Sequence, residues 1–317
     1  MSADANQPGH PLAPADDLIQ PFQVGALDAN GRLVRLGAAV DRILSQHDYP
    51  EPVSILLGEA MAMTAALAAS LKFEGTFSTQ IQGDGPVRLM IADVRTDGAM
   101  RAYAGYDAER VAAEAQAAAP GAVGDAGLFG AGHMAFTIDQ GGDRDRYQGL
   151  VELEGATLAD CAQAYLTRSE QLRADISTAA VRWPERTGGA SWRAGCLLVQ
   201  QVPAGDGRGG DDLARAANWT ETRALVGRLR RVDLADPLAV PPALIAPLFP
   251  GRDIRLFDPR PLRFECRCTA ARAARVLQVL GPEERAELMI DGRIEVTCDY
   301  CNTRYLFDPD GKLIADA

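Results

Sequence analysis

Apolar and polar residues alternate along many short segments between residues 18 and 204. A period of two residues places every second side chain on the same face, which predicts half-buried β-strands. Short turns such as "GDGP" and "TDGA" separate several of these segments, so we expect antiparallel pairs. The segments with this pattern are "GTFSTQIQ", "PVRLMIADV", "MRAYAGY", "HMAFTID", "YQGLVELEG", "ISTAAVRW" and "WRAGCLLVQQVP".

The chain enters this region through a strand–turn–strand pattern over residues 18–40. The segments "LIQPFQVGAL" and "LVRLGAAV" are separated by "DANGR". An Asn-Gly pair strongly favours a hairpin turn, because both residues tolerate a positive φ. We therefore predict a hairpin whose turn contains Asn30-Gly31.

Helical periodicity replaces the alternation in two places. Residues 52–71 are apolar nearly all round, which indicates a largely buried helix. Residues 157–172 predict a second helix with Thr157 as its N-cap. Residues 108–126, rich in Ala and Gly, predict a loop or a short helix. The fold class expected for residues 18–204 is therefore α+β, an antiparallel-sheet N-terminal core with packed helices.

The pattern changes at residue 205, where a metastable linker region is expected to extend to residue 258. It opens on a flexible joint, "AGDGRGGDD", and seven prolines follow between Pro237 and Pro261, five of them before residue 258. It carries eight acidic and eight basic residues. The segment is apolar and charge-balanced, and its first part has helical spacing. Because prolines break helices, we predict a helical region that is only marginally stable. Its first helix is expected to present Leu213, Ala217, Leu225 and Leu229 at helical spacing.

Residues 259–317 predict a small C-terminal domain. Thr269 is expected to cap a helix over 270–280 that ends at Gly281, and Pro282 to open a second helix, "PEERAELMI". "DG" then turns the chain into the strand "RIEVTC", and a knuckle, "CDYC", leads to "YLFD". At the other end of the chain, residues 1–17 predict a disordered acidic tail.

Composition narrows the function. The net charge of −11 opposes unspecific attraction to nucleic acid or to an anionic membrane. The first residues lack the basic and apolar regions of a secretory signal, so a cytoplasmic location is expected. The three histidines, His10, His47 and His133, leave few places for acid–base catalysis, and we expect no enzyme.

Four of the six cysteines form two close pairs near the C-terminus, Cys266-x-Cys268 and Cys298-x-x-Cys301, separated by 29 residues. Residues i and i+2 of an extended strand point the same way, and a C-x-x-C pair suits a tight knuckle. Two such pairs around a small helical unit are typical of a four-thiolate zinc site. No fifth ligand is evident in this segment, so the site is expected to be closed rather than hydrolytic.

A closed cysteine site can still act as a switch. A domain of this size has little core, so the metal would supply folding energy. Cys268 precedes a helix N-terminus, where the dipole favours the thiolate that oxidants attack. Oxidation to disulfides would then release the metal and remove that energy.

Other interpretations of the cysteines stay open at this point. A purely structural zinc knuckle is the simplest. A nucleic-acid-binding zinc ribbon is disfavoured, because residues 259–317 carry nine basic and ten acidic residues. A thioredoxin-like C-x-x-C is disfavoured because no βαβ context surrounds it. Cys161 and Cys196 lie in apolar patterns and are expected in the core.

The sequence resembles the redox-regulated heat-shock chaperone family of thirty-three kilodaltons, cytosolic bacterial holdases that bind zinc. The zinc motif is "FECRCTAARAARVLQVLGPEERAELMIDGRIEVTCDYCNTRYLFD", and "LGEA", "LKFEGTFSTQIQGDGPVRLM", "YQGLVELEG", "AYLTRSEQ" and "RLFDPRPLRF" also match. The sequence departs from the family pattern at Thr269, usually Ser, at Leu172-Arg173-Ala174, where a Pro-Thr step is common, and at Ala194-Gly195 in place of Gly-Gly.

The resemblance implies a mechanism. Reduced protein would hold one Zn²⁺ through Cys266, Cys268, Cys298 and Cys301 and be inactive. Oxidation would form Cys266–Cys268 and Cys298–Cys301 disulfides, after which zinc would leave and the linker would unfold. The exposed apolar surface would bind unfolding client proteins without ATP, and the active form would be a homodimer.

Two further hypotheses compete with this one. The first is a constitutive zinc-bearing interaction module, associated with nucleic acid or translation, which would need a basic face. The second is a thiol oxidoreductase, which would need an exposed C-x-x-C without metal. The acidic balance of the chain already disfavours the first.

Overall fold

The computed structural model of the chain describes residues 16–117, 126–142, 146–185, 188–203 and 212–316. The strands are β1 (Leu18–Val24), β2 (Ala29–Leu36), β3 (Thr76–Gly83), β4 (Val87–Arg95), β5 (Ala99–Tyr106), β6 (Gly132–Asp139), β7 (Tyr147–Glu152), β8 (Ala174–Pro184), β9 (Ala190–Gln201), β10 (Ile254–Leu256), β11 (Arg260–Pro261), β12 (Arg263–Phe264), β13 (Met289–Ile290), β14 (Arg293–Thr297), β15 (Arg304–Phe307) and β16 (Leu313–Asp316). The α-helices are α1 (Ala38–Leu44), α2 (Glu51–Ser70), α3 (Ala108–Ala117), α4 (Leu158–Arg168), α5 (Asp212–Val226), α6 (Pro241–Ile245), α7 (Ala270–Val279) and α8 (Pro282–Glu287).

The strands form two six-stranded sheets in the body and a four-stranded sheet near the C-terminus. The first sheet has the order β10-β1-β2-β9-β8, with β11 also paired to β1, and the second has the order β12-β5-β4-β3-β6-β7. Pairing is antiparallel except between β12 and β5. Mixed helices and antiparallel sheets confirm the α+β fold class.

Helix α2 packs against strands of both large sheets. It is apolar on every side because it lies between two layers, and nearly all of its residues are buried. Within the described part of the chain, α2 is the one helix long and apolar enough to cross a membrane, and 89% of its apolar window is buried. These are the properties of a core helix. Helix α4 starts as predicted, with Thr157 and Asp160 forming a capping box.

The prediction of a turn at Asn30-Gly31 is wrong. The chain reverses through a short 3-10 turn over Gly25–Leu27 and then Asp28, whose φ is 49°. Asn30 and Gly31 lie inside β2. The Phe22 ring covers Gly31, where a Cβ atom would fall 1.9 Å from the ring. Gly31 therefore allows β1 and β2 to pack closely at this position. This packing overrides the local preference of the Asn-Gly pair for a turn.

Residues 212–264 pack on the first sheet. One face of that sheet packs against α2. The other face is covered by α5 and by the turns that follow α5. Strands β10 and β11 pair with β1, and β12 pairs with β5 of the second sheet, so this part of the chain connects both sheets. The buried side chains of the covering segment are Leu225, Val226, Leu234, Ile245, Leu248 and Phe249.

Some predicted segments fall outside the described residues. These are most of the N-terminal tail, residues 1–15, and nearly all of the "AGDGRGGDD" joint. The segment 108–126 begins with α3, and residues 118–125 also lie outside. Asp17 is part of the fold, because its Oδ1 accepts hydrogen bonds from the backbone of Gly37 and Ala39.

The four-stranded sheet and α7 form the small C-terminal domain. Thr269 caps α7 as predicted, its Oγ1 accepting from the backbone N–H of Arg272 at 3.2 Å. Helix α8 is shorter than predicted, because Met289–Ile290 pairs with β14 in a hairpin turned by Asp291 and Gly292. The buried cluster of this domain is small and consists of Ala273, Leu277, Ile294, Tyr305 and Phe307.

Candidate metal centre

The first cysteine pair lies between the body and α7. Cys266 follows Glu265, whose backbone N–H donates to the carbonyl of Met100 in β5 at 3.0 Å. Cys268 directly precedes Thr269, the N-cap of α7. The pair is therefore anchored on one side by a strand of the body and on the other by a helix of the C-terminal domain.

The second pair lies on a knuckle between β14 and β15. The backbone N–H of Cys298 donates to the carbonyl of Thr303 at 2.9 Å, and that of Asn302 donates to the carbonyl of Cys298 at 2.8 Å. Asn302 has a left-handed φ of 56°, a conformation that Asn tolerates better than most residues. These bonds fold the knuckle so that Cys298 and Cys301 face the first pair.

The four sulfur atoms lie within 4.8 Å of one another. The Sγ atoms of Cys266 and Cys298 are 3.7 Å apart, and those of Cys268 and Cys301 are 3.3 Å apart. Both distances are far longer than a disulfide bond of about 2.0 Å, and all four are free thiols here. A tetrahedral zinc ion with Zn–S bonds of about 2.3 Å would hold its sulfurs about 3.8 Å apart. The donor set and its spacing therefore fit zinc.

The surrounding groups shift the thiol pKa values at this site in different directions. Burial alone would raise the pKa of Cys301, but hydrogen bonds from Thr303 and from the neighbouring thiols lower it to about 7. Burial raises the pKa of Cys266 and of Cys298. The hydroxyl of Tyr305 donates to the Sγ of Cys268 at 3.2 Å, which raises the pKa of Tyr305. A donor to sulfur of this kind stabilises thiolate, the form that ligates metal.

Within the described residues, no other cluster of three or more His, Cys, Asp or Glu side chains gathers its donor atoms in this way. Cys161 and Cys196 are buried in the body, as predicted, with exposures of 1% and 0%. Burial raises the pKa of both thiols, which makes them poor nucleophiles. Thiol chemistry in this chain is therefore concentrated at the C-terminal cluster.

The knuckle also contacts the body. The ring of Tyr300 lies beneath the guanidinium of Arg101 at 3.8 Å and 6.3 Å from the ring of Tyr103, both on β5. Burial raises the pKa of Tyr300 to about 12. The Asn302 side chain donates to the carbonyl of Gln46 at 3.0 Å. The second cysteine pair is thus docked on the body by a cation–π contact to the second sheet and by a hydrogen bond to the turn after α1.

Arg267, the middle residue of the first pair, reaches the same place. Its Nη2 lies 3.5 Å from Oδ2 of Asp93, a carboxylate that also pairs with Arg101 at 2.8 Å. The hydroxyl of Ser78 donates to the other oxygen of Asp93 at 2.6 Å. Asp93 is only 6% exposed, and its buried negative charge is balanced by the two arginines. Both halves of the cysteine cluster therefore meet one site on β4 and β5.

Sequence reasoning placed the four cysteines but missed this docking site. Tyr300 and Arg267 lie within the two cysteine motifs, so their positions were a signal that could have been used. Asp93 and Arg101 carried no local signal, because they are ordinary outward polar positions of alternating strands. Only the tertiary fold brings them to the cysteines.

The fold and the site together define an α+β chain that carries a four-cysteine centre of the zinc-binding kind on a small C-terminal domain. The family model described as "Hsp33 protein" matches residues 17–308. A 33 kDa chaperonin of Caulobacter vibrioides is 44% identical over 298 residues, covering 93% of this chain and 96% of its own. One of Pseudomonas fluorescens is 35% identical over 297 residues, covering 93% and 92%.

The chain belongs to the Hsp33 family, a family whose named members are chaperonins. The crystal structure of the 33 kDa chaperonin (heat shock protein 33 homolog) of Thermotoga maritima superposes with a TM-score of 0.75 at 20% identity. The match covers 93% of this chain and 96% of that one. At this identity the likeness concerns the fold. The resemblance predicted from the sequence motifs is thereby confirmed.

Proposed function

We propose that this protein is a redox-regulated, ATP-independent chaperone, a holdase activated when its four-cysteine centre is oxidised. One observation carries the proposal. Four thiols converge where a strand of the body meets a domain that buries only a handful of apolar side chains. A domain with so small a core depends on its metal, so chemistry at sulfur becomes a folding event.

Cys266, Cys268, Cys298 and Cys301 would hold one Zn²⁺ in the reduced protein. Bound zinc would cross-link β12, α7 and the knuckle and keep all four sulfurs deprotonated. Tyr305 donates a hydrogen bond to Cys268, and the Thr303 hydroxyl, 3.1 Å from the Cys301 sulfur, would donate to that sulfur once it is deprotonated, which supports the thiolates. No open coordination position is required of this site, because its role is to stabilise a fold.

On activation, Cys266 and Cys268 would form one disulfide, and Cys298 and Cys301 the other. Each bond takes two electrons from two thiolates; two molecules of hydrogen peroxide accept all four electrons and, with four protons from solvent, become four water molecules. In the folded domain the short sulfur distances instead join Cys266 to Cys298 and Cys268 to Cys301. The proposed pairs are close in sequence, so they stay close after the domain opens, whereas the cross pairs separate.

The proposed linker spans residues 205–258, and the proposed consequence is release of its described part, residues 212–258, from the first sheet. This linker would follow the core domain 18–204 and precede the zinc-binding domain 259–317. Its apolar side chains cover Phe22, Leu33, Leu197 and Val199, so its departure exposes a continuous apolar face on the sheet as well as its own. Such a surface binds unfolded client proteins without a nucleotide.

Several properties follow from the family rather than from this site. The relatives are named chaperonins, which supports a binding function without catalysis. We propose a cytoplasmic protein whose activated form is a homodimer and whose partners are unfolding polypeptides. With ten acidic and nine basic residues, the C-terminal domain gives no electrostatic reason to bind nucleic acid.

The test pairs zinc release with chaperone activity. Reduced, zinc-loaded protein is titrated with hydrogen peroxide at mild heat, and zinc is followed with a chromogenic chelator. Aggregation of a heat-denaturing enzyme is measured by light scattering at each point. We expect one zinc per chain, released in step with suppression of aggregation. Suppression that is equal before and after oxidation, or absent after it, would rule out the proposed switch.

A further inference from the structure

A turn of the linker segment places an arginine over a buried carboxylate of the body. Nη2 of Arg231 lies 2.6 Å from Oε1 of Glu59, and its Nε donates to the carbonyl of Thr178 at 2.7 Å. The hydroxyl of Thr178 donates to Oε2 of Glu59 at 2.9 Å. The Glu59 side chain is 4% exposed and that of Arg231 is 56% exposed. Glu59 therefore lies at the bottom of a socket that Arg231 enters from the solvent side.

A second socket lies next to the first. Leu234 is fully buried at 0% exposure among apolar side chains of β2, β8 and β9. Gly195 makes room for it, because a Cβ atom on Gly195 would fall 2.4 Å from the carbonyl oxygen of Leu234 and 2.9 Å from its Cβ. The sheet is thus shaped to receive a branched aliphatic side chain and the backbone that carries it.

The two sockets have a fixed spacing. Arg231 and Leu234 belong to a 3-10 turn over Arg231–Ala235, in which side chains three residues apart project to the same side. The body also holds the backbone of this turn. Arg35 donates to the carbonyls of Leu234 and Asp236 at 3.3 and 2.6 Å, and Arg193 donates to that of Ala235 at 3.2 Å. Any polypeptide offers such carbonyls.

We propose that this two-socket surface, formed by Glu59, Thr178, Gly195, Arg35 and Arg193, is a client-binding subsite. It accepts an Arg or Lys followed three residues later by an aliphatic residue, and the segment Arg231–Ala235 occupies it while the protein is inactive. The inference rests on the proposed function, because the subsite opens only when the linker leaves. It adds a preference in sequence to a surface otherwise expected to select clients by apolarity alone.

The physical reason is charge complementarity. When the linker leaves, Glu59 loses its ion pair with Arg231, and the carboxylate that this arginine covers faces the incoming client. A client that supplies a cation restores this contact, whereas a purely apolar client does not. Clients with the Arg-x-x-Leu spacing of the linker should therefore compete best for the surface.

The experiment uses the oxidised full-length chain and a labelled peptide with the sequence of residues 228–238, "RLRRVDLADPL". Fluorescence anisotropy gives its Kd and that of the same peptide with Arg231→Gln. We expect the substituted peptide to bind at least about tenfold more weakly, as for other close charge pairs at interfaces. A peptide with Arg230→Gln is the matched control, since Arg230 pairs with Asp233 at the surface. It should bind like the parent peptide.

The Glu59→Gln protein completes the test as a double-mutant cycle. The parent and Arg231→Gln peptides should bind this protein with affinities within about twofold of each other. Circular dichroism checks that the variant folds, and if it does not, the two peptides on the unsubstituted protein decide. Equal affinity of the parent and Arg231→Gln peptides for oxidised protein overturns the subsite. Because oxidised protein is also assayed for suppression of aggregation, failure of the proposed chaperone function is seen separately.

Discussion

The guanidinium of Arg101 lies 3.8 Å from the centre of the Tyr300 ring, which joins a strand of the body to the knuckle that carries Cys298 and Cys301. The same arginine pairs with Asp93, which also lies beside Arg267 between Cys266 and Cys268. If either cysteine pair moves away from the body, one side chain, Tyr300 or Arg267, leaves the cluster around Asp93 and Arg101. The contact gives a physical route by which events at sulfur reach the body of the protein.

Replacing Tyr300 by Leu should loosen the docked domain, because the cation–π contact is worth about 1 kcal/mol. We expect oxidant-driven zinc release to become about fivefold faster, in keeping with that free energy. Stopped-flow detection of released zinc measures the rate. Tyr300→Phe keeps the ring and should release zinc at the rate of the unsubstituted protein. Equal rates for the Leu and Phe variants would show that the contact does not couple the two parts.

Removing one thiol should cost the site its metal. For Cys298→Ser we expect zinc affinity to fall by more than about a hundredfold, since one of the four proposed ligands is lost. Competition with a chelator of known affinity measures the change. Cys161→Ala is the control, because this buried thiol is remote from the cluster and should leave one zinc per chain. A Cys298→Ser protein with unchanged zinc affinity would mean that Cys298 is not a ligand.

Replacing Phe249 by Ala should release part of the linker without oxidation. Phe249 is 1% exposed, and its ring lies 6.0 Å from that of Phe22 on the first sheet. Loss of a buried phenylalanine side chain costs about 3–5 kcal/mol, which is large compared with the total stability of about 5–15 kcal/mol of a typical folded protein. Limited proteolysis of the reduced protein should then cut within residues 212–249. Leu238→Ala, at a position 87% exposed, should be cut no faster than the unsubstituted chain.

Adding a methyl group at Gly195 should displace the linker turn while sparing the body. Its Cβ would lie 2.4 Å from the carbonyl oxygen of Leu234, closer than atoms in contact can approach. We expect Gly195→Ala to raise hydrogen exchange at 231–236 in the reduced protein. Gly105→Ala is the matched control, because a Cβ at this strand position would find its nearest neighbour 3.5 Å away. If exchange at 231–236 is unchanged in Gly195→Ala, the turn adjusts to the methyl group.

Local patterns predicted much of the fold. The alternating segments became the strands β3 to β9, and the apolar run 52–71 became the core helix α2. Caps at Thr157 and Thr269 lie where the side-chain chemistry placed them. The turn at Asn30-Gly31 failed, because the space that the Phe22 ring takes at Gly31 depends on a partner strand. A turn propensity depends on the local sequence alone and does not take account of the side chains that pack against the segment.

The site divides in the same way. Local sequence is enough to predict which residues gather at the cysteine centre, since C-x-C on a strand and C-x-x-C on a knuckle have local geometric reasons to face one ion. The contacts that this centre holds in place depend on the three-dimensional fold. Arg101 meets Tyr300 and Arg231 meets Glu59 across about two hundred residues of chain, and contacts at that separation leave no periodic trace along a sequence. They exist because sheets packed on a buried helix bring distant side chains together, where buried carboxylates such as Glu59 and Asp93 require a charged partner.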